Sequence, residues 1–143
     1  MLLQKMEIEH FSEVHKIWTA TEGMGLRSLD DSKTGIEKFL LRNPNTNFIC
    51  KIDDEIVGVI LSGNDGRRGY IYHTAVKKEY RKRGIGKQLV EKAIRSLKNE
   101  GINKVALVVF ETNNDGNSFW ESLGFQKRCD LVYRNLSLNN ENA

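Results

Sequence analysis

The chain has 143 residues, 39% of them hydrophobic and 29% charged, with a net charge of +3. That length suits one domain with one core, and the composition is that of a globular protein rather than a disordered or fibrous one. No apolar run is long enough to span a bilayer, and the first residues lack a charged-then-apolar leader pattern, so a cytoplasmic protein is expected. Cys50 and Cys129 are isolated thiols, and His10, His15 and His73 show no ligand spacing, so neither a disulfide nor a metal is expected.

In chain order, Leu2 to Glu9 reads as a first strand, and Ser12 is placed to cap a helix running to about Thr21, with Val14, Ile17 and Trp18 inward. Residues Glu22 to Asp31 are irregular. A second helix is predicted from about Asp31 to Arg42, with Ile36, Phe39 and Leu40 as its apolar stripe and Pro44 as its stop. Phe48–Ile52 and Glu55–Ser62 flank Asp53-Asp54 as a hairpin, and Asn64–Arg68 is a second turn. Tyr70–Val76 is a further strand, aromatic and β-branched. A long helix follows, with Leu89, Val90, Ala93, Ile94 and Leu97 on one face, then a buried strand from Lys104 to Phe110. A short helix over Asp115–Leu123 and a closing strand or pair over Phe125–Leu138 complete the domain at residues 1–138, with 139–143 expected as a disordered tail.

The most informative stretch is Arg81-Lys82-Arg83-Gly84-Ile85-Gly86, between the Tyr70–Val76 strand and the long helix. The first N–H groups of a helix have no intrahelical partner, and the macrodipole adds positive character there. Glycines at 84 and 86 would let a phosphate approach the backbone closely. From Lys77 to Lys104 the chain holds ten Lys/Arg against three Asp/Glu, so this segment carries +7 while the remainder carries −4. Such a concentration of charge at an anion site points to a phosphorylated, polyanionic ligand. The spacing is neither that of a dinucleotide fingerprint nor that of a nucleoside triphosphate loop.

Val76-x4-Arg81-x2-Gly84-Ile85-Gly86-x2-Leu89 resembles the acetyl-CoA diphosphate signature of the GCN5-related N-acetyltransferases. Asn113-x2-Gly116-x2-Phe119-Trp120-x3-Gly124-Phe125 resembles a second run of the same family, in the family's order, and Gly63–Gly69 resembles a hairpin of a bacterial subgroup of small acetyltransferases. The resemblance spans nearly the whole chain. It implies an α/β (α+β) fold with a mixed, mostly antiparallel sheet of six to seven strands and about four helices. It also implies transfer of an acetyl group from acetyl-CoA to a primary amine of a small molecule or protein, by direct attack in a ternary complex.

Three demands follow from that chemistry. The diphosphate falls to the N–H groups of Arg83, Gly84, Ile85, Gly86 and Lys87, with Arg81 and Lys82 adding charge, and Asn113, Phe119 and Trp120 of the second run complete the cofactor wall. The amide-bearing pantetheine arm is expected to pair with Thr74, Ala75 and Val76 like an added strand, in the space left where adjacent strands splay apart. A free N–H near Thr74–Val76 would stabilise the thioester oxyanion by about 3 kcal/mol. The third demand is proton handling, and here the chain departs from the family. Many members carry a tyrosine acid where this chain has Trp120, whose indole N–H has no usable acidity. Several carry a glutamate base where it has Val108. An amine of pKa about 10 must lose a proton before attack, while a thiolate of pKa about 8.5 leaves with little help. Tyr72, His73, Glu111 and Tyr133 are the candidate catalytic groups, and the residues alone do not choose among them.

For the acceptor, the resemblance points to Trp18, Glu22 and Arg27, facing Tyr133: Glu22, Asp30 and Asp31 would attract a cationic amine, and Arg27 would hold a carboxylate. Acetyl-CoA and an amine are thus the expected partners, with no nucleic acid, no membrane and no metal, in a monomer or homodimer. One alternative stays open, an acyl-CoA-binding relative that has lost turnover, suggested by Trp120 and Val108.

Overall fold

A computed structural model describes all 143 residues. Its centre is one five-stranded sheet, β1 (Leu2–Lys5), β2 (Phe48–Ile52), β3 (Glu55–Asn64), β4 (Gly69–Val76) and β5 (Val105–Ala106), in that spatial order. The first three pairings are antiparallel and β4–β5 is parallel. Helices α1 (Phe11–Thr19) and α2 (Lys33–Arg42) cover one face, and α3 (Ile85–Asn99) and α4 (Asn114–Ser122) belong to the other.

The two faces are two cores. Val14, Ile17 and Trp18 of α1 and Ile36 of α2 meet Ile49, Ile56, Val59 and Leu61 of the sheet. On the opposite side Ile85, Leu89, Val90 and Ala93 of α3 meet Phe48, Cys50, Val57, Ile60 and Ile71. The 3.6-residue apolar stripe of each helix and the alternation of β2 make this sandwich the way to bury both sets of side chains. The start of α2 is expected at about Asp31. Ser32 takes the cap, its hydroxyl accepting from Gly35 N–H at 3.0 Å, which leaves Asp31 outside the helix.

Four expectations need correction. The sheet has five strands rather than six or seven. The segment expected as a buried strand over Lys104–Phe110 pairs only at Val105 and Ala106. It keeps a two-residue rhythm, with Val105, Leu107 and Val109 half-buried, but Val108 and Phe110 stand exposed. An apolar run fixes an extended chain without fixing a partner, and here the chain swings away from β4. The closing strand over Phe125–Leu138 does not form; Leu131, Val132, Leu136 and Leu138 are all exposed. A two-residue β5 offers no edge long enough to receive it. The last five residues, expected as a frayed tail, instead fold back on residues 28–30. Ser28 N–H donates to the Ala143 carbonyl at 2.8 Å, and the Asn142 amide oxygen accepts from Leu29 and Asp30 N–H at 3.0 Å each. No helix is long and apolar enough to cross a membrane.

Candidate active site

A groove of about 2880 Å³ runs across the molecule where β4 and β5 part. It is larger than the pockets of roughly 300–1,000 Å³ that enclose most small ligands, which makes it a trough for an elongated one. Its floor is the free edge of β4. The β5 ladder stops at Tyr70, so from Ile71 to Val76 that edge has no strand beside it.

At one end lies the basic turn. A single 3₁₀ turn (Lys78–Tyr80) leads from β4 to Lys82, at φ 63°, and Gly84, at φ 81°, which is the N-cap of α3. The first α-helical bond is from Gln88 N–H to the Gly84 carbonyl, so the N–H groups of Gly84 to Lys87 precede the ladder and point out of the helix. The left-handed φ suits glycine at 84, and a Cβ there would meet nothing within 4 Å, so the space over the helix start is open. Gly86 is required differently: a Cβ would press on Phe119 at 3.2 Å, and this contact brings α4 against α3. Arg81 donates from Nε to the Val76 carbonyl at 3.0 Å, fixing the turn to the end of β4. Arg83 turns back over the Tyr80 ring at 5.0 Å. Lys82 and Lys87 are exposed beside the helix start.

Asn113 caps α4, its side-chain oxygen accepting from Gly116 N–H at 2.9 Å. Trp120 stands edge-on between Phe119 and Phe125, at 5.0 and 5.1 Å between ring centroids. All three residues expected on the cofactor wall line the groove, and the aromatic pair belongs to the α3-side core as well.

The other end is built by the loop before α2 and the middle of β4. Between the pairs Val59–Ala75 and Leu61–Tyr72, two residues of β4 oppose Ile60 alone, so His73 and Thr74 form a bulge. His73 sits at φ 40°, a left-handed conformation unusual outside glycine. Its carbonyl accepts from Trp18 Nε1–H at 3.0 Å, and its ring stands edge-on to that indole at 5.1 Å. Its Nε2–H donates to the Asp31 carboxylate at 2.6 Å. Asp31 is buried, and its second oxygen accepts from Arg27 N–H at 2.7 Å. Tyr70, Tyr72 and Phe39 stand close by, with ring centroids 4.6 Å apart for the tyrosines and 5.7 Å for Phe39–Tyr72. Burial pushes the Tyr70 phenol up to about 12, with Tyr72 and Tyr133 adding to it. The Tyr72 phenol is raised by burial first, then by Tyr133 and Asp30. Both tyrosines therefore hold their protons and can donate hydrogen bonds, but are poor bases near neutrality.

The groove brings Tyr72, His73, Glu111 and Tyr133 into one cavity along with Thr74, Ala75, Val76, Glu22 and Arg27. It does not include Trp18. That side chain, expected at the acceptor wall, is fully buried in the core between α1 and the sheet. An indole at an inward position of α1 serves packing, and its one polar atom is spent on His73. The residue that sequence reasoning passed over as a specific partner is Asp31. Its pairing with a histidine 42 positions away leaves no local signature. No group of three or more His, Cys, Asp or Glu side chains is gathered to hold a metal.

A sheet parted beside a basic helix start, with helices on both faces, defines an acetyltransferase architecture. The sequence matches the model of the Acetyltransferase (GNAT) family over residues 11–125, and the chain belongs to that family. It is 31% identical over 124 residues to Acetyltransferase SG1711 of Sodalis glossinidius, covering 87% of this chain and 86% of that protein. The fold is similar to an aminoglycoside acetyltransferase from an uncultured soil metagenomic sample, solved with sisomicin (TM-score 0.77, 19% identity, 96% of each chain). It is also similar to the PaiA N-acetyltransferase of Thermoplasma acidophilum, solved with coenzyme A (TM-score 0.75, 22% identity, 87% of this chain and 89% of that one).

Proposed function

We propose that this protein transfers an acetyl group from acetyl-CoA to a primary amine, by direct attack while both substrates are bound. The observation that carries the reading is the continuity of the groove. The unpartnered β4 edge leads from the Gly84 helix start to the His73 bulge, so one elongated ligand can rest its charged end and its reactive end on the same floor. At the helix start, the N–H groups of Gly84 to Lys87 accept an anion, with Lys82 and Lys87 beside them. The open space over Gly84 fits a diphosphate. Along Ala75 and Val76 the backbone offers strand-like hydrogen bonds to an amide-bearing arm, except that the Val76 carbonyl is already held by Arg81. At the far end Glu22 and Asp30 give the acceptor entrance a negative character suited to a cationic amine. Coenzyme A is bound by the solved PaiA relative, which supports the same cofactor here.

Trp120, packed between two phenylalanines, supplies no acid, and thiolate departure does not need one. Thiol release from acetyl-CoA, measured against peptides, polyamines and aminoglycosides, tests the reading. Turnover with at least one primary amine is expected. Tight CoA binding without turnover on any amine would instead favour a binding protein that has lost the transfer step.

A further inference from the structure

We propose that His73 is the base that takes a proton from the acceptor ammonium, through Nδ1, and that Asp31 is the positioning residue that holds and polarises its ring. The proposal rests on the acetyl-transfer reading above. Four observations carry it.

First, the ring is oriented through Nε2. Nε2–H donates to a buried carboxylate at 2.6 Å, and that carboxylate is itself fixed by Arg27 N–H at 2.7 Å. With Nε2 carrying the hydrogen, the lone pair of the neutral ring lies on Nδ1. Second, Nδ1 has no protein partner, yet no polar side-chain atom that is buried in this protein lacks one. Nδ1 is therefore reachable by solvent, and His73 lines the groove. Third, the backbone at His73 is held where few residues go, φ 40° in a two-against-one bulge, with its carbonyl tied to Trp18. Strain of this kind persists when the surroundings over-determine it, and it commonly re-aims a side chain at a working site. Fourth, the competitors are weaker. Tyr70 and Tyr72 keep their protons, and Glu111 and Tyr133 are exposed with no hydrogen bond to orient them.

The bulge lies one residue before Ala75, at the part of the β4 edge assigned above to the thioester. The step balances as follows. Nδ1 accepts one proton from the ammonium, and the freed lone pair forms the C–N bond as the C–S bond breaks. The thiolate takes a second proton from the acylated nitrogen, and the imidazolium releases its own to water. An amide, a free thiol and one proton result. The free ring nitrogen of a neutral imidazole can take up that proton and pass it on, which suits both halves of that cycle. The groups facing it are Asp31 from the loop before α2, Tyr72 on β4 with ring centroids 6.3 Å apart, and, from α1, Trp18 with His15 behind it; Ile60 opposite is apolar.

The test compares the full chain with His73→Gly and Asp31→Asn, using acetyl-CoA and the best amine from the panel. Glycine accepts the left-handed φ, so the backbone of the bulge is kept. His73→Gly is expected to lower kcat by about 100-fold or more, within the usual range for loss of a general base, with CoA affinity unchanged. Added imidazole should restore part of the rate, more as pH rises and more of it is neutral. Asp31→Asn should lower kcat less than His73→Gly does, with the KM for acetyl-CoA unchanged, because the ring loses the carboxylate that orients it. His73→Gly with wild-type kcat, or a loss that imidazole does not touch while Asp31→Asn keeps the wild-type kcat, would overturn the base assignment. Absence of any turnover by the unaltered protein would instead overturn the transferase reading itself.

Discussion

The two ends of the groove are built on opposite plans. The phosphate end is local and made of main chain: consecutive residues, a turn and a helix start supply its donors, and the side chains mostly brace it. The acceptor end is assembled from side chains that meet only after folding, Asp31 from a loop and His73 from a strand, with Trp18 of α1 behind them. A main-chain site survives side-chain replacement but not intrusion into its open space, whereas a side-chain site fails with the loss of one partner. The ends should therefore break under different substitutions.

The largest effect is expected at Gly84. Both aspartate and asparagine tolerate its left-handed φ, and a Cβ there meets nothing within 4 Å, so the pair differs mainly in charge. Gly84→Asp should weaken CoA binding about 100-fold, roughly 2.7 kcal/mol, by placing an anion where the diphosphate sits. Gly84→Asn should cost well under a tenth of that factor. Calorimetric titration decides: equal losses would make bulk the cause, and no loss in either would detach the helix start from the cofactor.

A smaller effect, of another kind, is expected at Trp18. Trp18→Phe leaves the His73 carbonyl without its donor inside a packed core, and should cost about 1–2 kcal/mol of stability, read as a lower urea midpoint. If Trp18 acted as acceptor wall, KM would change with stability intact; that outcome would undo its assignment to the core.

This contrast also explains what could be read from the residues alone. The helix start was legible because its determinants are contiguous: basic residues, two glycines and then Leu89, Val90, Ala93 and Leu97 at helical spacing. The sandwich followed from the same periodicities. The parting of β5 was only half legible. The run from Val105 to Phe110 encodes an extended chain, but nothing in it says that pairing ends at Ala106, and residues 125–138 carry too few inward positions to name an edge. The Asp31–His73 pair was out of reach because its members lie 42 positions apart and share no local pattern. Only the structure shows Ser32 taking the cap and Asp31 turning to β4.

The smallest effect is expected at the ion pair bracing the phosphate end, Lys77 Nζ to Glu55 at 2.6 Å. It joins the end of β4 to the start of β3, and Tyr80 adds a hydroxyl hydrogen bond to the same carboxylate at 3.3 Å. The hydrogen bond from Lys77 holds the Glu55 carboxyl below its usual 4.5. A carboxyl whose folded value is depressed stabilises the fold above its unfolded value and loses that contribution as pH falls through the folded one. Glu55→Gln should therefore lower the urea midpoint slightly at pH 7, and the gap from the unaltered protein should close as pH drops below about 4.5. It should also narrow in high salt, because water and ions reach this half-exposed pair. The buried Asp31–His73 contact is shielded from that screening, so Asp31→Asn should keep its effect on rate at the same ionic strength. A salt-insensitive Glu55 effect would show that the phosphate end, too, depends on desolvated side-chain pairs, and the division between the two ends would lose its electrostatic basis.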